Sequence, residues 1–181
     1  VTGVQTCALP ILLKAILLVA FVAVAIAQPD LPTSFSSAIS MDSHFDNHDH
    51  DTKGQIYEDF TNHRTRFDVS LKDGHDFERL ELFDKKIAYD IFDDKECKNR
   101  TEDRTMEAFF GWVADAKSDG PCYGSNTLGS LWTRKDKDHD AQVCVASDNK
   151  TPYWADFGND HDSRRANLNM TFSSFTPGVP A

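Results

Sequence analysis

The chain has 181 residues, 40% of them hydrophobic and 27% charged, with 19 basic side chains against 29 acidic ones and a formal charge of −10 at pH 7. That acidity argues against nucleic acid and anionic membrane surfaces as partners and is compatible with Ca²⁺ or a basic protein. The length is enough for one domain with its own core.

Val1 to Ile11 resembles the translated adaptor of a sequencing library and is expected to be an artefact, which removes Cys7 from the cysteine count. Residues 12–27, LLKAILLVAFVAVAIA, pair Lys14 with an apolar run and a small-residue site at Ala25-Ile26-Ala27, the pattern of a secretory signal. About 16 apolar residues fall short of the ~20 that span a bilayer. Residues 28–181 are then the mature domain, with 18 basic and 29 acidic residues and a charge of −11. The Pro/Gly-rich end, FSSFTPGVPA, predicts that the C-terminus is truncated.

A first strand is predicted over Ser34 to Ser43, followed by a polar loop, SHFDNHDHDTKG, that gathers His44, Asp46, His48 and His50. On one strand these four would share a face and suit Zn²⁺ or another divalent ion. A solvated hairpin tip is the favoured reading, since no His-Glu-x-x-His pattern is present.

Strands follow at Gln55 to Asp59, Arg64 to Leu71, Phe77 to Phe83 and Lys86 to Phe92. Phe67, Val69 and Leu71 alternate with Arg66, Asp68 and Ser70, and Leu80 and Leu82 alternate with Arg79 and Glu81, so one face is apolar and the other charged. Asp84-Lys85 reads as a tight turn between two hairpin strands. Asn99, in a charged segment after the strand, opens a sequon, as do Asn149 and Asn169.

Met106 to Ala114, MEAFFGWVA, is apolar enough for a buried strand or a helix, and its bulky aromatics favour the strand. Gly124 to Gly129 reads as a loop. Short strands at Ser130 to Arg134, Gln142 to Ala146, Pro152 to Phe157 and Leu168 to Phe175 complete a mainly β, antiparallel chain with no βαβ rhythm. Between them, Asp136, Asp138 and Asp140 have the spacing of the first three ligands of a calcium loop. Ala141 stands where that loop needs Gly, and Ser147 where it needs a bidentate Glu, so a charged turn or a looser Ca²⁺ site are the readings left.

Cys97, Cys122 and Cys144 are an odd number for an oxidising compartment, and spacing alone does not fix which two pair. No nucleophile elbow, phosphate-cradling glycine loop or paired-carboxylate motif points to catalysis. The reading is therefore non-enzymatic, with no assigned cofactor and calcium as the candidate ion.

The segments Gly54-x-Ile56-Tyr57-x-Asp59, Arg64-x-Arg66, Asp84-Lys85-Lys86-Ile87-Ala88-Tyr89 leading to Cys97, Gly129-Ser130-Leu131-Trp132, the Cys144 strand and Phe172-Ser-Ser-Phe-Thr-Pro177 follow one another as in ependymin-related proteins, which the domain resembles over about Ser34 to Pro180. The resemblance implies a secreted half-barrel, a strongly bent antiparallel sheet with few short helices, akin to bacterial lipoprotein carriers and holding a hydrophobic ligand on its concave face. It also implies calcium binding, cell–matrix contact and a Cys97 bond to a cysteine beyond the segment present here. Self-association as a homodimer is left open. The residues expected inside the curve are Phe67, Val69, Leu80, Leu82, Ile87, Tyr89, Phe110, Trp112, Trp132, Tyr153, Phe157 and Phe172. They would line either a pocket for a lipid or other apolar molecule or an ordinary filled core. The competing function is an extracellular adhesion or metal-responsive module.

Overall fold

A computed structural model describes residues 27–45, 48–71, 74–135, 140–158 and 167–180. Its eleven strands are β1 (Ser34–Phe45), β2 (His48–Asp59), β3 (Arg64–Ser70), β4 (Asp76–Leu82), β5 (Ile87–Phe92), β6 (Glu96–Thr101), β7 (Lys117–Gly124), β8 (Thr127–Lys135), β9 (Asp140–Ala146), β10 (Pro152–Gly158) and β11 (Asn167–Pro177). All pair antiparallel in one open sheet, ordered β6-β5-β4-β3-β2-β1-β11-β10-β9-β8-β7. Every neighbouring pair is sequential except β1 with β11. The mainly β half-barrel and the scarcity of helix are thus as expected.

Strand order leaves β6 and β7, consecutive in the chain, at opposite edges. Ten strand spacings of ~4.8 Å would separate them by ~48 Å in a flat sheet. The fifteen residues between them include a 3₁₀ turn, Gly111–Asp115, and at full extension their sixteen Cα steps reach roughly 47 Å at ~3.4 Å per extended and ~2.0 Å per 3₁₀ residue. A fully extended connector would barely span a flat sheet, yet this one packs Phe109 and Phe110 against Phe35 and Phe172, so the sheet bends and the connector crosses its inner face.

Met106 to Ala114 is accordingly not a strand. It belongs to this connector, and its apolar character comes from packing on the sheet. β6 and β7 were not anticipated; β6 is exposed at every residue, so no buried face imposes an alternation. Asn99 lies in β6 and not in a loop. The expected Gly124 to Gly129 loop is only the turn at Ser125 and Asn126, both at positive φ.

Cys122 of β7 and Cys144 of β9 form a disulfide, with Cα atoms 5.9 Å apart. β8 lies between those strands, which would put the two Cα atoms ~9.6 Å apart in a flat sheet, so this end curls tightly. Gly124 of β7 packs on the Tyr153 ring, leaving no room for a Cβ, and the Trp154 indole N–H donates to the Tyr123 carbonyl at 3.0 Å. Cys97 is a free, exposed thiol on β6. The Cys122→Ser, Cys144→Ser double variant should lose about 3 kcal/mol, the value for closing a loop of this length. Thermal unfolding with and without reductant checks it: dithiothreitol should lower the melting temperature of the wild type and leave the variant unchanged.

Candidate functional site

Residues directly opposite one another across neighbouring strands share a face. The rows of the inner face therefore follow from the register. One row runs Met41, Met170, Ala155, Val143, Trp132 across β1, β11, β10, β9 and β8. Ile39 pairs with Phe172 on one side and Gly54 on the other, and Gly54 continues to Val69, Phe77 and Phe92. A Cβ on Gly54 would run into the Asp68 carbonyl oxygen, so glycine is required at this close approach of β2 and β3.

The inner face is apolar from β8 to β2; over β4 to β6 the rows beyond Phe77 and Phe92 turn charged. Ile56 and Phe67 are followed in their row by Arg79, Asp90 and Lys98. Phe35 and Glu58 are followed by Thr65, Glu81, Ala88 and Arg100. Arg79 Nε donates to Asp90 at 2.7 Å, and this bond holds the Asp90 carboxyl below the usual range. Arg104 bonds Glu102 and Glu81. The bond from Arg104 takes Glu102 down to about 2, against the opposing effect of burial.

The connector roofs the apolar part. Phe109 and Phe110 pack on Phe35, Phe172 and one another, Trp112 meets Phe157 edge-on at 6.1 Å, and Phe175 stacks on Phe35 at 4.9 Å. At its β6 end the Glu102 amide donates to the Lys86 carbonyl at 3.0 Å and Glu102 pairs with Arg100, and further attachments hold it along its length. Gln28 Nε2 donates to the Val113 and Ala114 carbonyls, Arg104 pairs with Glu81, and the Phe109 amide donates to Glu58 Oε1 at 3.2 Å. Glu58 is 2% exposed, and burial pushes its carboxyl up to about 7; the Phe109 amide bond favours the ionised form and opposes this, while the Glu81 and Asp59 carboxylates add to the rise. Its chain neighbour Asp59 differs: burial opposes ionisation, but bonds from Asn62 and Arg64 outweigh it and keep the group low.

The indole N–H groups of Trp112 and Trp132 are buried with no acceptor. Such a donor costs about 1–3 kcal/mol.

Of the expected lining residues, Val69, Phe110, Trp132 and Phe172 are buried in this cluster, with Phe67, Trp112 and Phe157 packed against it. Leu80, Leu82, Ile87 and Tyr89 are not among them. Phe67 pairs with Arg79 and Val69 with Phe77, while Leu80 pairs with Tyr89 and Leu82 with Ile87, so these four occupy the outer face. The alternation along each strand holds, but the β3–β4 register puts the two strands' apolar sets on opposite faces. Tyr153 sits where the β9–β10 pairing slips, between Pro152 and Trp154, and covers Gly124. Phe35, Ile39, Met41, Val143, Val145 and Met170 belong to the cluster without having been singled out. The spacing of Phe35, Ile39 and Met41 in the first strand was the available signal. Nothing local marks Glu58.

Open clefts border the β2–β5 half of the sheet. One of about 320 Å³ borders Gly54, Phe77, Arg66 and Glu78; another of about 430 Å³ lies between Tyr57, Arg64, Leu80 and Pro180.

The polar candidates are not assembled into a site. Asp46, Asp136 and Asp138 lie outside the described residues, as do the side chains of His44, His48 and His50. The backbone there is a hairpin in which Ser43 pairs with His50 and Phe45 with His48, so the histidines do not share one strand as expected. Asp140 begins β9, opposite Lys135. Among the described residues no group of three or more His, Cys, Asp or Glu is placed to hold a metal. Asn99 is exposed on its edge strand, Asn149 lies in a turn at φ 59°, and Asn169 is in the interior strand β11 between Asp42 and Asp156.

No family model and no curated protein matches the sequence. Among solved structures, an uncharacterized conserved protein of Thermus thermophilus is similar with a TM-score of 0.52 at 8% identity, over 83% of this chain and 82% of that one. Weaker likenesses are to lipoprotein LppX of Mycobacterium tuberculosis (TM-score 0.45, 12% identity, 82% and 89% covered) and a DUF1329 family protein from Desulfovibrio piger (0.37, 10%, 84% and 88%). The similarity to the Thermus protein is one of fold alone, at an identity too low to carry a function across.

Proposed function

We propose that this chain is a secreted, non-enzymatic binding protein of the ependymin-related type, which holds a lipid or other apolar molecule against the inner face of its half-barrel. The observation that carries the reading is the roof over that face. Phe35, Phe157 and Phe172 are covered by a single connector with only a short 3₁₀ turn and, among the described residues, no second sheet, and the two acceptor-less indole N–H groups are buried in the same region. A ligand with apolar bulk and an acceptor oxygen complements both features: the bulk replaces connector contacts, and the oxygen satisfies a buried donor.

Solvent extraction of the purified protein, followed by mass spectrometry, should recover bound lipid. Titration with 9,10-dibromostearic acid should quench Trp112 and Trp132, measured in Trp154→Phe so that the third indole is silent. An empty extract together with unquenched fluorescence would sink the reading.

A further inference from the structure

We propose that the connector Glu102–Ala116 is a strap that opens to admit a ligand to the inner face, and that the Glu58 carboxyl, bonded by the Phe109 amide, is its latch. The proposal rests on the apolar-ligand reading for what enters, but not for the motion. The strap covers the aromatic face, so any molecule reaching Phe35, Phe157 or Phe172 must displace Phe109 and Phe110. Of its attachments, the Gln28 contacts are neutral amide bonds, and the Arg104 pair with Glu81 lies toward the strap's β6 end. Glu58 alone holds the middle of the strap with a buried ionisable group.

The groups facing that carboxyl are mostly acidic or neutral. On its own strand Asp59 is turned to the other face and paired with Arg64. β1 presents Phe35 and β3 presents Thr65. β4 presents Glu81, bonded by Thr65 and by Arg100 and Arg104. The strap brings Glu102, which Arg104 and Arg100 occupy. The nearby cations are thus shared among other carboxylates, and Glu58 has an amide donor but no cation partner of its own among these contacts.

The Phe109 amide bond by itself favours the ionised form, but burial outweighs it; the closed strap therefore favours the protonated carboxyl, and lifting the strap returns it to water. With the closed-state value at about 7 against an ordinary 4.5, raising the pH through this interval shifts the balance toward the open form, by up to roughly 300-fold. The closed form dominates at acid pH.

Hydrogen exchange of the 103–116 amides, corrected for intrinsic rates, reads the strap without any ligand. Between pH 5 and pH 8 the wild type should lose protection by tens-fold or more. Glu58→Gln, which keeps the acceptor and cannot ionise, should stay protected at both. Gln28→Ala should loosen the strap equally at both pH values, which separates the latch from a general weakening. Wild-type protection that is independent of pH, or a Glu58→Gln variant that keeps the full pH dependence, overturns the strap. Nile red, uncharged over this range, reads the ligand separately. Tighter binding by the wild type at pH 8 than at pH 5, with equal binding by Glu58→Gln, is expected. PH-dependent exchange with no dye bound at either pH would overturn the apolar-ligand reading while leaving the strap intact.

Discussion

Phe35→Ala should cost about 3–5 kcal/mol of unfolding free energy, the range for removing a large aromatic side chain from a well-packed core. Phe35 is fully buried on the central strand β1. Its ring contacts Phe109 at 6.0 Å and Phe110 at 5.4 Å from the connector, and Phe175 at 4.9 Å from the end of β11. Its removal leaves a cavity where three distant segments meet, and the bonded strands β2 and β11 on either side keep the site from collapsing. Urea unfolding followed by tryptophan fluorescence measures the loss as a lower midpoint at unchanged slope. Phe67→Ala, at the partly exposed flank of the same cluster, is the comparison and should cost less. A Phe35→Ala loss below about 1 kcal/mol would show that the aromatic cluster is not the structural centre of the domain.

The second large effect is on pH dependence. Glu58 has a raised carboxyl in the folded state, about 7 against 4.5, so the native protein binds more protons than the unfolded chain between those values. Stability is then full below about pH 4.5, falls as the pH rises, and levels off above about 7, with a total loss of up to about 3 kcal/mol from this group. Glu58→Gln removes that slope and retains an acceptor for the Phe109 amide. It should be more stable than the wild type at pH 8 by up to about 3 kcal/mol, with little difference at pH 4. Denaturant unfolding at several pH values between 4 and 8 tests this, and parallel curves for the two proteins would refute it. The low carboxyls, Asp90 and Glu102, act in the opposite direction: their ion pairs support the fold at neutral pH and weaken as acid protonates them.

Much of the sheet was legible because strand alternation is written in adjacent residues. Phe67 and Val69 between Arg66, Asp68 and Ser70 can only be a one-sided strand, and the structure places them on the inner face. The alternation in Leu80, Leu82, Ile87 and Tyr89 was equally plain, yet these residues face outward. Period tells which residues of a strand go together, whereas the shift between strands decides which set faces the core, and a one-residue change exchanges the two. The connector misled for a related reason. Met106 to Ala114 is as apolar as a buried strand because it lies on the apolar face, but it lacks a bonded neighbour of its own. Glu58 was invisible, since its hydrogen-bond partner, Phe109, lies fifty-one residues along the chain.

By itself the sequence determined an antiparallel β domain of one-sided strands, because side-chain alternation is local covalent geometry and needs no knowledge of the rest of the chain. The tertiary structure decided which side is inside, that Cys122 pairs with Cys144 while Cys97 stays free, and that the connector covers the aromatic face. Those outcomes depend on register, curvature and contacts between distant segments. They are fixed only when the sheet bends far enough for fifteen residues to join its two edges.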